Sequence, residues 1–308
     1  MAYAPRSRPL EYNHHAMNIL YITHLLNGLL MIALPIGLGI YLTRKFRLGW
    51  RLWWIGAATF VLSQVAHIPF NSLVLNPFLQ GPTLFSLGSK VEQLVTAVAL
   101  GLSAGLFEEL ARYAMYRWWA KDARSWHTGL LAGAGHGGIE ALLLGLIVLY
   151  SYIQILIIQN VGIENIVPAE SLELAQQQVA QYWSLPWYDT LLGALERAFT
   201  IPFHIAASLL VLQVFTRRQL RWLWLAVAWH TIVDGLAVYS VSNWGMYLTE
   251  VLIGVCAVAS IVIIFALRRP EPEPAPPIIE PLPPPVSLEE IKPVDETSET
   301  LNNTRYQP

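Results

Sequence analysis

Ten ionisable side chains fall in stretches of this sequence that are otherwise apolar enough to cross a membrane: Glu108, Glu109 and Arg112, then His136 and Glu140, then Glu196, Arg197 and His204, then His230 and Asp234. Each such group costs at least ~2.5–3.5 kcal/mol at mid-bilayer on insertion scales, so the set is tolerable only if its members face one another or water. Helical spacing puts them on facing stripes. At 100° per residue, Gly101, Gly105, Glu108 and Arg112 share one narrow face, with Glu109 well off it; Gly129, Gly133, His136 and Glu140 share another. His230 and Asp234 are one turn apart, and Arg197, His204 and Ser208 align in a segment that Pro202 is expected to kink. The glycines allow close helix approach, which marks these faces as helix contacts. Glu108 lies nine residues before Arg117, His136 twelve after Arg124, His204 thirteen before Arg217 and His230 nine after Arg221. At ~1.5 Å per residue all four lie roughly 14–20 Å from one membrane border. A carboxylate beside imidazoles at one depth suits water activation by general base catalysis, with a histidine donating to an oxyanion. The same donors, Glu108, His136, His204 and His230, also suit a catalytic zinc ion. Glu140, Arg112 and Asp234 are then placed to orient the groups nearest the reaction. Either way the reaction class is hydrolysis.

The elements that carry these residues are membrane spans. Of 308 residues, 55% are hydrophobic and only 13% charged, with mean hydropathy +0.45; soluble domains carry about 25% charged residues. The net charge of −2 gives no footing for nucleic acid. Seven stretches reach the ~20 apolar residues that span a bilayer: 17–42, 52–75, 91–119, 127–158, 189–215, 222–241 and 245–267. The fold class is therefore all-α, a polytopic membrane helix bundle. The first stretch is too long for a signal-peptide core and is kept as a span. Arg44, Lys45, Arg47 and Arg51, then Arg117, Lys121 and Arg124, then Arg217, Arg218 and Arg221, then Arg268 and Arg269 fall on alternate loops. By the positive-inside rule the N-terminus is outside and the C-terminus cytoplasmic, as expected for a plasma membrane of bacterial type. Residues 1–16 form an N-terminal extension and 17–269 the membrane domain. The Pro- and Glu-rich 270–308 reads as a disordered cytoplasmic tail.

Several features take ordinary explanations. The 159–188 loop reads as a connecting amphipathic helix on the outer surface, and Cys256 as a small buried hydrophobe. His67, with Pro69 and Asn71, reads as a kinked helix end, His24 as an interfacial or packing residue, and Glu250 as a group that snorkels near a helix end. "GLSAG" at 101–105 matches a serine-nucleophile pattern, but that pattern needs a strand-to-helix turn and this stretch is mid-helix.

The segments "FEELARY" (107–113), "GAGHGGIE" (133–140), "ERAFTIPFHIAAS" (196–208) and "HTIVDG" (230–235) occur in this order on successive helices. As an ordered set they resemble the motifs of the YhfC family of intramembrane proteases, grouped with CAAX prenyl endopeptidases and PrsW-like proteases. The resemblance covers about residues 15–267. It implies that Glu108 is the water-activating residue of a Glu-Glu motif and Arg112 its trailing base, while Glu109 reads as either a helix-end charge or a second acid. It implies that His136 is the second-motif histidine, His204 an intermediate one, and His230 with Asp234 the oxyanion-binding pair. The sequence departs from the CAAX-type pattern in having one residue fewer before Arg112 and in carrying Ala132 where a Phe is usual. In the PrsW-like pattern Glu140 takes the second-motif place.

The expected activity is thus an intramembrane endopeptidase acting on a membrane protein or peptide within or beside the bilayer, near the cytoplasmic leaflet. No cofactor is required in the favoured reading, and zinc is the alternative. A proton-coupled transporter or a non-catalytic membrane scaffold would use a similar polar cluster.

Overall fold

A computed structural model describes residues 14–81 and 89–268. The expectations for the N-terminal extension and the 270–308 tail lie outside these residues. The chain is an all-α, multi-pass integral membrane protein, and among the described residues seven helical segments are long and apolar enough to cross a bilayer.

The spanning helices are α1 (His14–Lys45), α2 (Arg51–Phe70), α4 (Ser89–Ala114), α5 (Trp126–Val161), α7 (Leu192–Arg217), α8 (Arg221–Trp244) and α9 (Met246–Ala266). Helix α2 runs on through a π-helical turn, Asn71–Leu75, into the short α3, Asn76–Leu79, and α4 ends in a second π turn, Met115–Trp119. Between α5 and α7 lies the amphipathic α6, Leu172–Ser184. Its Trp183 is buried and packs with Leu20 and Tyr152, and its Tyr182 stacks on His24 at 4.0 Å. That is the packing role expected of His24.

Local chemistry sets the helix ends. Ser125 caps α5 by accepting from the Thr128 backbone N–H, and Thr128 Oγ1 accepts from the Ser125 N–H, which satisfies two amides left free at the first turn. Helix α7 stops at Arg218, in the left-handed region at φ 55°. At the basic end, Arg51 grips Asp122 through both oxygens at 2.6 and 3.1 Å. The pair is exposed, so it contributes at most about 1 kcal/mol, yet it holds the Asp122 carboxyl below the usual carboxylate range.

Helix α7 is central. It packs against α5, α9, α8, α1 and α4. Helix α4 lies chiefly on α8, and α5 on α1, α2 and α7. The glycine stripes make these contacts close. A Cβ on Gly101 would stand 2.6 Å from the Thr231 carbonyl oxygen of α8, and one on Gly133 would stand 2.7 Å from the Ile205 Cα of α7. Backbone thus meets backbone at the level of the ionisable residues.

Candidate active site

The four residues expected to share one depth do meet. Glu108 Oε2 lies 3.0 Å from His136 Nε2 and 3.9 Å from both His204 Nδ1 and His230 Nε2. These groups come from α4, α5, α7 and α8, and all are buried. The close packing of α4 on α8 and of α5 on α7, set by the glycines, delivers them to one point.

A second layer fixes their orientation. On the α7 side, Arg197 joins Glu140 at 2.5 Å and also pairs with Glu196. Glu140 Oε2 is 2.6 Å from His204 Nε2, while Arg112 donates to His204 Nδ1 at 2.7 Å. A guanidinium can only donate, so Nδ1 is the acceptor and Nε2 carries the proton given to Glu140. On the α8 side, His230 Nδ1 is 2.7 Å from Glu109 Oε1 and Nε2 is 3.3 Å from Asp234 Oδ2. Arg112 pairs with Glu109 and lies 3.5 Å from Glu108 Oε2.

Glu109 therefore corrects the sequence expectation. It falls off the narrow stripe of α4 yet is fully buried, because α4 is covered by α7 as well as α8 and its inner face is wider than one stripe. Glu196 belongs to the edge of the cluster, as a partner of Arg197.

His67 also departs from expectation. It does not end a helix: α2 continues past it into the π turn. It joins a hydrogen-bonded chain of Ser103, Asn71, His67 and Gln64 that ends on Glu108 Oε1, with Gln64 Nε2 at 3.1 Å. The signal for this was present, since Gln64, His67 and Asn71 recur at i, i+3 and i+7 on one helical face. Glu250 lies near the start of α9, half-buried, with one carboxyl oxygen buried without a partner among the described residues. Ser103 donates to Asn71 and sits within a continuous helix, as its non-nucleophilic reading requires.

The cluster is closed at the basic end, where Tyr116, Ala120 and Ala123 are fully buried and Tyr116 bonds Ser208 at 2.7 Å. Its exposed members are at the other end. Side-chain exposure is 8% for Glu108 but 21% for Glu140, 38% for Glu196 and 37% for Asp234. The more exposed members of the cluster thus lie on its side away from the basic loops.

One donor atom from each of Glu108, His136 and His204 lies within 4.8 Å of the others, the three-ligand set of many catalytic zinc sites. Ligands at about 2.0–2.1 Å from an ion stand up to about 4 Å apart, so this triangle would contract slightly around one. His230, the fourth expected ligand, stands outside this triangle: its Nδ1 bonds Glu109, while its Nε2 lies 3.9 Å from Glu108 Oε2 and 3.3 Å from Asp234 Oδ2. The carboxylates of the cluster (Glu108, Glu109, Glu140, Glu196 and Asp234) outnumber its guanidiniums (Arg112 and Arg197), an excess of negative charge that protons or a bound cation would balance. The residues fit a metal, provided that Arg112 releases His204 Nδ1.

The chain is similar to known proteins over this same region. A family model described as YhfC intramembrane metalloprotease matches residues 30–257. The "Uncharacterized membrane protein YhfC" of Bacillus subtilis (strain 168) is 30% identical over 222 residues, covering 69% of this chain and 82% of that protein. No solved structure matches. With its polar cluster and five of its seven spans wholly inside the matched region, the chain belongs to the YhfC intramembrane metalloprotease family.

Proposed function

We propose that this protein is an intramembrane endopeptidase whose water-activating group is Glu108. The observation that carries the reading is the convergence of Glu108, His136, His204 and His230 from four helices on one buried point, with Glu108 Oε2 as the common neighbour. Glu108 Oε1 is occupied by Gln64, so Oε2 is the oxygen left to take a proton from water. His136, 3.0 Å away, orients that oxygen and can pass the proton on to the leaving amine. His204, held between Arg112 and Glu140, forms the α7 wall of the site and keeps Arg112 and Glu140 in place beside the water and substrate. His230 Nε2 faces the same space and, steadied by Asp234 and Glu109, donates to the oxyanion of the tetrahedral intermediate. The substrate is a membrane-embedded or membrane-adjacent peptide segment that reaches the site from the end where Asp234 and Glu140 are exposed.

A metal-assisted version of the same hydrolysis is favoured by one specific observation, the Glu108, His136 and His204 donor triangle. A zinc ion bound there would polarise the scissile carbonyl and acidify a bound water.

The test is cleavage of fluorogenic peptides embedded in lipid nanodiscs together with the purified protein. Glu108→Gln is expected to lose at least about 100-fold in kcat, the lower range for a general base, while remaining folded. Retained cleavage in that variant overturns the assignment. Chelator treatment and metal analysis of the same samples separate the two versions: bound zinc that Glu108→Ala and His136→Ala both lose supports the metal, and chelator-insensitive cleavage by zinc-free protein excludes it.

A further inference from the structure

The chain of hydrogen bonds behind Glu108 has a single direction. Ser103 Oγ donates to Asn71 Oδ1 at 2.7 Å. That commits the Asn71 amide nitrogen to His67 Nε2, 3.0 Å away. An amide nitrogen only donates, so Nε2 is the bare acceptor and the His67 proton sits on Nδ1, which donates to Gln64 Oε1 at 3.3 Å. Gln64 is left with its nitrogen toward Glu108 Oε1, at 3.1 Å. Each link leaves its successor one orientation, and the last donor faces the carboxylate.

From this geometry we infer that Gln64 is a positioning residue for Glu108. It is held by His67, Asn71 and Ser103 so that Oε1 is always occupied and Oε2 alone faces His136, His204 and His230. The inference rests on Glu108 being the water-activating group. The chain holds but does not conduct protons, because two of its links are side-chain amides, which do not exchange a proton by relay as hydroxyls and imidazoles do. A carboxylate in a buried site could otherwise rotate and present either oxygen. With Gln64 in place, rotation breaks one bond to Gln64 and one to His136 together.

The polarity makes the inference separable from simple packing. Asn71→Asp has nearly the same shape, but a carboxylate only accepts. It would draw the His67 proton to Nε2, turn Nδ1 into an acceptor and reverse the Gln64 amide, setting oxygen against Glu108 Oε1. Asn71 does not itself touch Glu108, so this effect travels through two side chains.

The experiment uses the full-length protein in lipid nanodiscs with 15N-labelled histidine, the His67 signal being identified by its loss in His67→Gln. In the parent protein His67 is expected as the neutral form protonated at Nδ1, and in Asn71→Asp the proton moves to Nε2 or both nitrogens become protonated. In the embedded-peptide assay, Gln64→Leu and Asn71→Asp are each expected to lower kcat about 10–100-fold, the usual cost of removing an orienting partner, with KM unchanged. Gln64→Glu, which cannot donate when ionised, is expected to behave like Gln64→Leu. A parent His67 protonated at Nε2, or a His67 signal indifferent to Asn71→Asp, overturns the inference. So does unaltered kcat in folded Gln64→Leu. Should Glu108→Gln keep full activity, the proposed base fails, and the histidine signals still decide the hydrogen-bond chain alone. If Gln64→Leu does not fold, Asn71→Asp and the parent spectrum supply the same decision.

Discussion

Arg112→Met tests whether the site is held by buried charge. The Arg112 side chain is fully buried and contacts three groups: Glu109, Glu108 at 3.5 Å and His204 at 2.7 Å. Methionine approximates the volume of its stem but removes every donor. Two carboxylates on the same turn of α4 would then lack their guanidinium, with 0% of Glu109 and 8% of Glu108 exposed to solvent. Removing one partner of a buried pair costs about 3–5 kcal/mol, against about 1 kcal/mol at most for an exposed one. At 2–4 °C per kcal/mol for a domain of this size, the melting temperature should fall by roughly 6–20 °C. The double variant Glu109→Gln with Arg112→Met removes one of the stranded charges and should recover about 0.5–3 kcal/mol of the loss, the range of coupling between groups in contact. The assay is unfolding of the purified protein in detergent, followed through its twelve tryptophans. An Arg112→Met variant within about 1 kcal/mol of the parent, or two substitutions that simply add, would refute the buried ion-pair account.

Three further outcomes follow from other parts of the structure. Gly101→Ala should destabilise by about 1–3 kcal/mol, because its Cβ would meet the Thr231 carbonyl oxygen at 2.6 Å and the Gly235 amide nitrogen at 2.8 Å, while Gly37→Ala, with nothing within 4 Å, should be neutral or slightly stabilising in the same unfolding assay. Burial pushes the Tyr182 phenol up to about 12. The folded state therefore holds that proton more tightly than the unfolded one, so the stability tied to it is complete below about pH 10 and declines as pH rises from there; subtracting the ultraviolet titration of Tyr182→Phe should show one late phenolate. A cysteine at Asp234 in a Cys256→Ser background should react with a water-soluble maleimide far faster than one at Ala120, since Asp234 is 37% exposed and Ala120 is fully buried. Equal rates would remove the opening assigned to the site.

The seven spans were legible because apolar length and loop charge are strong, local signals, and helix boundaries differ from expectation by a few residues. The meeting of Glu108, His136, His204 and His230 was legible because each lies on a small-residue face at a countable distance from a basic loop. What escaped was everything that depends on how many neighbours a helix has. Glu109 looked misplaced on a single-stripe view of α4, yet α7 and α8 together enclose it. His67 looked like a helix end because Pro69 follows it closely, and α2 instead absorbs that proline and extends through the turn at Asn71–Leu75. Amides such as Gln64 and Asn71 raise no alarm in an apolar segment, since an uncharged side chain with partners costs little to bury. The uneven exposure of the cluster was hidden for a different reason: depth along each helix was readable, but which end of the cluster its neighbours cover was not.

The glycine contacts have an evolutionary consequence. Gly56 abuts the Ala132 carbonyl, Gly135 the Trp53 carbonyl and Gly101 the Thr231 carbonyl, so the architecture is specified by residues that take no part in the chemistry. The two sets can be lost independently. A descendant that exchanged Glu108 and its histidines for apolar residues would shed a costly cluster of buried charge and keep the same bundle, surviving as a scaffold without hydrolysis. A descendant that lost the glycines would forfeit both. Decay of the reaction is therefore the easier path for this fold, and in any relative the state of positions equivalent to Glu108 and His136 bears on its activity more directly than overall similarity does.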